Sequence, residues 1–264
     1  MRHLRFAVMV LGLALAATPA AAEVKTKVVD YTVDGVALQG LIAWDDANTA
    51  KRPGIVVVHE WWGHNEHARA SARRLAEAGY VGFALDMYGK GKIAKHPDAA
   101  MKFMTEATKD PAVLNARFEA ALAELKKDPH VDPARLGAIG YCFGGSVVLS
   151  QARMGKDLKA VASFHGGLGG LAPAKPGTVK ARVLVYTGTA DPMIPADQVE
   201  SFRKEMQAAG AKVEIVSYPG AKHGFTNPAA GSFGMDALAY DAEADKASWA
   251  AMIAQFKQVF QRGE

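Results

Sequence analysis

The sequence contains a single cysteine, Cys142, among its 264 residues. One cysteine excludes an intramolecular disulfide even in an oxidising compartment, so an ordinary hydrophobic core has to hold the fold. The sequence also lacks an apolar run long enough to span a bilayer. The stretch at residues 6–17 has about 12 residues, whereas a transmembrane helix needs about 20.

Basic and acidic side chains are nearly equal in number. The formal net charge is +4, and removal of residues 1–22, which include Arg2 and Arg5, would leave 29 basic against 27 acidic side chains, or +2. Both signs are mixed along the same predicted helices, without the basic stripe that follows a phosphate backbone. We therefore expect no nucleic acid partner.

The first 22 residues have the composition of a secretory signal peptide. Two arginines precede the apolar stretch, and Ala20-Ala21-Ala22 supplies the small residues of a cleavage site. We predict a mature chain that starts at Glu23, forms one domain over residues 23–264, and is exported to the periplasm without stable membrane insertion. An uncleaved N-terminal anchor is the alternative.

Strand and helix patterns alternate along the chain and predict an α/β fold. Residues 24–33 and 36–44 flank the turn signal Asp34-Gly35, which predicts an antiparallel hairpin at the start of the sheet. The repeated β-α units beyond it imply a mostly parallel, twisted sheet with helices on both faces. We predict strands at residues 55–58, 81–85, 136–140, 160–164, 182–187 and 213–218, and helices at residues 66–78, 97–127 (one or two, broken near Asp110-Pro111), 143–154, 195–209 and 235–260.

Cys142 lies between a predicted strand and a predicted helix, in the segment Gly140-Tyr141-Cys142-Phe143-Gly144-Gly145. Glycine-x-nucleophile-x-glycine is typical of the α/β-hydrolase elbow, where a sharp turn holds the nucleophile in a strained conformation that only small flanking residues permit. The N-terminus of the next helix would favour a negatively charged sulfur. A small buried apolar residue is the alternative for Cys142.

A nucleophile in an elbow needs a base, and the base needs an orienting acid. In this fold the chain order is nucleophile, acid, histidine. Asp191 follows the strand predicted at 182–187 and His223 follows the next strand, so both belong at the sheet edge where parallel sheets bind ligands. We predict a catalytic triad of Cys142, His223 and Asp191. Turn or loop roles remain alternatives for the last two, and Asp197, within a predicted helix, is a weaker candidate acid.

From about Val36 to Phe260 the chain resembles the dienelactone hydrolase family of α/β-hydrolases, which uses a Cys-His-Asp triad. Besides the triad residues, His59-Glu60-Trp61-Trp62-Gly63 is similar to the family's Gln-Glu-x-x-Gly, and Leu85-Asp86-Met87-Tyr88-Gly89 to its Pro-Asp-Leu-Tyr segment. The resemblance implies that Glu60 contacts the nucleophile and controls when the thiolate forms.

The resemblance also implies that the backbone N–H groups of Trp61 and Phe143 form the oxyanion hole. This agrees with the rule that one donor follows the nucleophile and the other comes from the loop after the third strand. Tyr88, Lys90 and Asn227 occupy substrate-binding positions by the same resemblance. Family members that act on dienelactone carry arginines where this chain has Lys90 and Asn227. A lysine lacks the bidentate fork of arginine, and an asparagine brings no charge.

Neither a cofactor nor a metal is predicted. His59, His64 and His67 lie within nine residues, but His59-Glu60-x-x-x-His64 has one residue more than the zinc-protease motif and begins on a strand, where that motif requires a helix. His165 follows another predicted strand and could line the pocket, although a structural role is the simpler interpretation.

These patterns predict a monomeric hydrolase that cleaves a small-molecule ester, lactone or thioester and forms an acyl-enzyme on Cys142. The alternative is a non-catalytic protein that binds a ligand or uses Cys142 as a redox-sensing thiol. A sensor thiol needs neither Asp191 nor His223, whereas acyl transfer needs both.

Overall fold

This computed structural model describes residues 23–170 and 173–262. An eight-stranded sheet forms the centre of the fold. The predicted signal peptide, residues 1–22, lies outside the described residues. The strands are β1 Val24–Val33, β2 Val36–Asp45, β3 Arg52–Val58, β4 Val81–Ala84, β5 Val131–Tyr141, β6 Ala160–Phe164, β7 Arg182–Gly188 and β8 Val213–Tyr218. Their order across the sheet is β1-β2-β4-β3-β5-β6-β7-β8.

The sheet begins antiparallel and continues parallel. Strands β1 and β2 form the predicted hairpin, and β2 also pairs antiparallel with β4. Asp34 and Gly35 both have positive φ, 48° and 77°, as the favoured two-residue hairpin turn requires. From β4 onward the neighbouring strands are parallel. The predicted α/β fold, with its N-terminal antiparallel hairpin, is confirmed.

The helices lie on both faces of the sheet. Their bounds are α1 Glu66–Glu77, α2 Pro97–Thr108, α3 Pro111–Lys127, α4 Phe143–Arg153, α5 Ala196–Ala208 and α6 Ala242–Arg262. A 3₁₀ turn spans Ala230–Phe233. The helical pattern at residues 97–127 forms two helices because Asp110 caps α3 by accepting from the amide of Ala112, and Pro111 begins it. No helix of the described chain is both long and apolar enough to cross a membrane.

Two apolar layers enclose the sheet. Side chains of α3, α4 and α5, among them Phe118, Val148 and Phe202, pack on one face. Side chains of α1 and α6, among them Leu75 and Phe256, pack on the other face. The central strands β3, β4 and β6 are buried at every position, which explains the unbroken apolar run at residues 55–58 of β3 and the predominance of apolar residues in the other two.

The prediction that the last helix starts at residue 235 is wrong, because α6 begins at Ala242. Oδ1 of Asp241 accepts hydrogen bonds from the amides of Glu243 and Ala244, which caps the helix at that point. The preceding residues run beside the loop after β8 instead. Leu238 forms an isolated bridge with His223, and the amide of Ala239 donates to the carbonyl of His223. The segment before α6 therefore supports the backbone of His223.

Candidate active site

Cys142 has the strained backbone conformation that the elbow pattern predicts. Its φ is 52° and its ψ is −116°, between the end of β5 and the start of α4. Such a conformation costs a non-glycine residue about 1–3 kcal/mol and persists only where its surroundings impose it. Here the Cys142 amide donates to the carbonyl of Phe164, and its carbonyl accepts from the amide of Ser146. These bonds fix the turn between the neighbouring strand and the new helix.

The glycines of the elbow are required by close backbone packing. A Cβ atom on Gly144 would lie 2.3 Å from the carbonyl oxygen of Val58 at the end of β3. A Cβ atom on Gly140 would lie 2.0 Å from the carbonyl oxygen of Gly144. Both distances are far below van der Waals contact, and the atoms approached are backbone. The first turn of α4 can therefore reach the carboxyl edge of the sheet only without side chains at these positions.

Asp191 and His223 are brought together from the loops after β7 and β8. Nδ1 of His223 lies 2.8 Å from Oδ2 of Asp191, and the two side chains are 5% and 0% exposed. Oδ1 of Asp191 accepts from the amide of Met193. Because a carboxylate only accepts, Nδ1 of His223 carries the proton, and Nε2 is left for the side of Cys142.

The pKa of His223 is raised by the nearby Cys142 and Asp191. Burial alone would lower this pKa, but Coulombic attraction to Cys142, the hydrogen bond from Nδ1 to Asp191, and the Asp191 charge raise it to about 10. The three residues predicted as a triad thus form one interacting cluster at the carboxyl edge of the sheet. Asp197, the weaker candidate acid, lies in the first turn of α5.

The two backbone amides predicted for the oxyanion hole are available. Phe143 is the first residue of α4, where a helix leaves its N–H groups without an intrahelical acceptor. Trp61 lies on the loop after β3. Within residues 23–170 and 173–262, neither amide donates to a protein acceptor. Both could therefore bind an oxygen that is not part of the protein.

Glu60 is buried, 3% exposed, and its carboxylate is held by residues other than Cys142. Oε2 of Glu60 accepts a 2.6 Å hydrogen bond from Nδ2 of Asn227 and lies 3.7 Å from Nδ1 of His67. Oδ1 of Asn227 accepts from the amide of Ala229. The structure thus places Asn227, predicted to bind substrate, as a buried partner of Glu60.

Tyr88 and Lys90, the other two residues predicted to bind substrate, lie in different surroundings. Tyr88 is 2% exposed, and its pKa is raised by burial first and then by the charge of Cys142, which places the phenol near Cys142. Its hydroxyl has no hydrogen-bond partner among the described residues. Lys90 instead pairs with Asp30 of the edge strand β1, at 2.8 Å on the protein surface.

An aromatic cluster forms a wall between α2 and the 3₁₀ turn. The ring of Trp62 stacks on Phe233 with centroids 3.8 Å apart, and Trp61 packs against Trp62 at 4.9 Å. On the other side, Phe103 of α2 contacts Tyr88 at 5.8 Å. The loop that carries the Trp61 amide is thus bordered by apolar rings.

Sequence reasoning gave no role to His59, which is completely buried beside the oxyanion loop. Nε2 of His59 accepts a 3.1 Å hydrogen bond from the amide of Met87, so Nδ1 carries the proton and donates to the carbonyl of Glu60. Burial is the main cause of a lowered pKa for this histidine. His64, also buried, has its pKa lowered to about 3 mainly by burial. The sequence feature that could have indicated a role for His59 is its position directly after strand β3.

No set of three or more histidine, cysteine, aspartate or glutamate side chains in the described part of the chain could hold a metal ion.

Comparisons with known proteins identify a family and several similar proteins. The model of the dienelactone hydrolase family matches residues 38–260. A Yersinia pestis protein named as a carboxymethylenebutenolidase is 30% identical over 85% of this chain and 85% of its own length. A Synechocystis protein of the same name is 28% identical over 90% of this chain and 97% of its own. A solved structure of a dienelactone hydrolase-like promiscuous phosphotriesterase from metagenomic libraries is 35% identical, with a TM-score of 0.84 over 90% of this chain and 99% of its own.

Proposed function

The chain belongs to the dienelactone hydrolase family of hydrolases, and from that premise we propose that it cleaves carboxylic esters, lactones or thioesters through Cys142 and an acyl-enzyme. One observation carries the proposal: a partly exposed cysteine at positive φ, at the start of α4, lies beside a buried, hydrogen-bonded histidine and aspartate. A cysteine with only a structural role would need neither partner.

Acylation begins when the Cys142 sulfur attacks the carbonyl carbon and forms a tetrahedral intermediate. The amides of Trp61 and Phe143 stabilise the oxyanion, and removal of one such donor generally costs about 2.7–4 kcal/mol of barrier. As the intermediate collapses, the bond to the leaving oxygen or sulfur breaks, and the protonated His223 gives its Nε2 proton to that leaving group. The product of this half-reaction is a thioester on Cys142 and a neutral His223.

Deacylation uses the same groups in reverse. Neutral His223 removes a proton from a water molecule, whose oxygen attacks the thioester carbonyl. The second intermediate collapses with release of the carboxylic acid, and the Cys142 sulfur leaves as a thiolate beside the imidazolium of His223. Asp191 holds the proton on Nδ1 throughout, so that Nε2 is the nitrogen that exchanges protons.

The surroundings of the cluster support an uncharged substrate. Lys90 is paired with Asp30 on the surface, and the side chain of Asn227 is bound by Glu60 and the amide of Ala229. In this arrangement neither residue neutralises a substrate carboxylate. We therefore place neutral esters and lactones ahead of anionic lactones such as dienelactone as substrates.

Export is proposed on the sequence of residues 1–22 alone, with a monomeric mature enzyme from Glu23 acting in the periplasm. Fractionation of cells that produce the full chain, with N-terminal sequencing of the product, tests this. A full-length chain in the cytoplasmic fraction would contradict it.

The test of function is hydrolysis of p-nitrophenyl esters and small lactones by the reduced chain from Glu23, compared with Cys142→Ala and Cys142→Ser. A dialkyl aryl phosphate belongs in the panel because the similar solved structure is described as a promiscuous phosphotriesterase. We expect ester turnover that disappears with Cys142→Ala, and an acyl-enzyme visible by intact mass. Absence of turnover and of acyl-enzyme across the panel would instead favour the ligand-binding or redox-sensing alternative.

A further inference from the structure

A second group of buried polar side chains joins two loops of the site and has no part in the acyl-transfer steps. Oγ1 of Thr226 lies 2.9 Å from Nε2 of His165 and 3.5 Å from Nε2 of His67. Nε2 of His67 also lies 3.0 Å from the carbonyl oxygen of Thr226, and its Nδ1 lies 3.7 Å from Oε2 of Glu60. The contacts thus run from the residue after β6 to the loop after β3.

His165 stands out in this group because its backbone is strained. Its φ is 41°, a conformation that a non-glycine residue adopts at a cost of about 1–3 kcal/mol. Its side chain is completely buried, and Nδ1 has no hydrogen-bond partner among the described residues. Strain and a buried unsatisfied nitrogen both lower stability, so packing alone does not explain a histidine here.

The ring of His165 lies directly against the catalytic histidine. The centroids of His165 and His223 are 5.0 Å apart with an angle of 66° between the planes, and Phe225 flanks His165 at 5.2 Å. Asp191 fixes only Nδ1 of His223, so the ring could still tilt about that hydrogen bond. The edge-to-face contact with His165 blocks the tilt on one side.

His165 also stays neutral while His223 gains and loses a proton. Burial, and then the positive charges that His223 and His67 can carry, hold the pKa of His165 well below its ordinary value. A neutral ring does not repel the imidazolium that forms on His223. The hydroxyl of Thr226 fixes the orientation of that ring through Nε2.

We propose that His165, held by Thr226, is a positioning residue that keeps Nε2 of His223 directed at Cys142 during both half-reactions. The proposal rests on the function proposed above for its kinetic consequence. Its structural consequence, the alignment of His223 with Cys142, can be measured without a substrate.

Thr226 offers a matched pair of variants. Thr226→Val keeps the shape and removes the hydroxyl, whereas Thr226→Ser keeps the hydroxyl. We expect Thr226→Val to lower kcat about 10-fold with KM within about 2-fold, because a misdirected base slows proton transfer without changing ground-state binding. Thr226→Ser should stay within about 2-fold of the wild type in both constants. If Thr226→Val does not fold, Thr226→Ala replaces it in the same comparison.

The second readout is the titration of the His223 ring by NMR, with its signal assigned by its absence in His223→Gln. The groups around this ring are Asp191 on the loop after β7, Cys142 at the start of α4, and His165 after β6. The pKa of His223, about 10 in the wild type, should fall toward 6.5 in Thr226→Val, because contact with Cys142 raises it. Thr226→Ser should leave it unchanged.

A purely structural role would lower the melting temperature of Thr226→Val without moving this titration. The proposal is overturned if Thr226→Val keeps the wild-type kcat and titration, or if Thr226→Ser loses as much as Thr226→Val. Should the wild type show no esterase activity, the proposed function fails, and the titration still decides the positioning of His223.

Discussion

Nδ1 of His223 and Oδ2 of Asp191 are joined by a 2.8 Å hydrogen bond inside the protein, although 32 residues separate them in the sequence. The contact follows from topology. Strands β7 and β8 are parallel neighbours, paired from Val183 with Val213 to Gly188 with Tyr218, so the loops that leave them meet at one edge of the sheet. Asp191 and His223 therefore meet because each follows one of two neighbouring parallel strands.

Replacement of Cys142 by alanine should lower the pKa of His223 from about 10, because it removes the Coulombic attraction that raises it. The wild-type pKa lies above the ordinary value of 6.5, so the bound proton stabilises the fold fully below about pH 6.5. This contribution is lost as the pH rises through about 10. Because the free thiol of the unfolded wild type keeps its proton until about pH 8.5, the difference appears above that value: the free energy of unfolding of the wild type should fall relative to Cys142→Ala between about pH 8.5 and 10. Urea unfolding at several pH values measures this, and parallel curves for the two proteins would contradict it.

Much of the site could be predicted because its residues follow strands. Unbroken apolar runs identify the buried strands, and chain order then gives Cys142, Asp191 and His223 a common edge. The elbow glycines carry their own signal, since a Cβ atom on Gly144 would lie only 2.3 Å from the carbonyl oxygen of Val58. These features depend on local sequence and on the parallel arrangement, both of which periodicity reveals.

What could not be predicted depends on contacts between distant loops. The helical composition of residues 235–241 gave no warning that Asp241 would cap α6 and that Leu238 would pair with His223. The hydrogen bond between His165 and Thr226 joins residues 61 apart and has no sequence pattern. The pairing of Lys90 with Asp30 depends on how close the hairpin lies to the loop after β4.

Gly144→Ala should destabilise the protein by about 3 kcal/mol, the upper end of the usual cost of overpacking, because the new methyl group would lie 2.3 Å from the backbone oxygen of Val58 and neither element can move freely. Gly231→Ala, in the 3₁₀ turn, provides the control. A Cβ atom there has no atom within 4 Å, so its effect should stay within about 0.5 kcal/mol. Thermal and urea unfolding of the two variants compare them. Equal stabilities would show that the first turn of α4 can move away from β3.

Glu205→Gln should cost about 3 kcal/mol, because it leaves the guanidinium of Arg153 buried without its counter-charge. Arg153 is 4% exposed and makes two hydrogen bonds to the Glu205 carboxylate, of 2.7 and 2.9 Å. Glu200→Gln on the same helix removes an exposed partner of Arg203, 3.5 Å away, and should change stability by less than about 1 kcal/mol. Urea unfolding at neutral pH measures both variants. A similar small loss of stability in the two would contradict the larger contribution predicted for the Arg153–Glu205 pair.

The same ion pair predicts a pH dependence. Burial tends to raise the pKa of Glu205, but its hydrogen bonds to Arg153 and to the amide of Ala174, together with the Arg153 charge, hold it below 4.5. A lowered carboxylate pKa adds stability that is present above the ordinary value and is lost as the pH falls through the lower, folded value. Wild type and Glu205→Gln should therefore converge in stability below pH 4.5, and a constant gap would contradict this.

His59→Leu should lower kcat about 10-fold to 100-fold, whereas His59→Gln should retain most activity. His59 joins the carbonyl of Glu60 to the amide of Met87, and this bond holds the loop that presents the Trp61 amide. Glutamine can donate to the carbonyl and accept from the amide, as the neutral imidazole does, while leucine can do neither. Loss of one oxyanion donor generally costs about 100-fold to 1,000-fold, and a shifted loop should cost less. Steady-state kinetics on one p-nitrophenyl ester compares the two variants, and equal losses would exclude this role.

His59→Gln should also lose less stability than the wild type at acidic pH. Burial lowers the pKa of His59, so the unfolded chain takes up a proton below about pH 6.5 that the folded protein does not bind. The unfolded state then binds more protons, and stability falls as the pH drops below 6.5. Protonation in the fold would also turn the acceptor Nε2 into a donor facing the amide of Met87. His59→Gln has no group to titrate there, so its free energy of unfolding should decline less than that of the wild type between pH 6.5 and 5. Urea unfolding over that range measures the difference, and an equal decline would place the acid sensitivity at other residues.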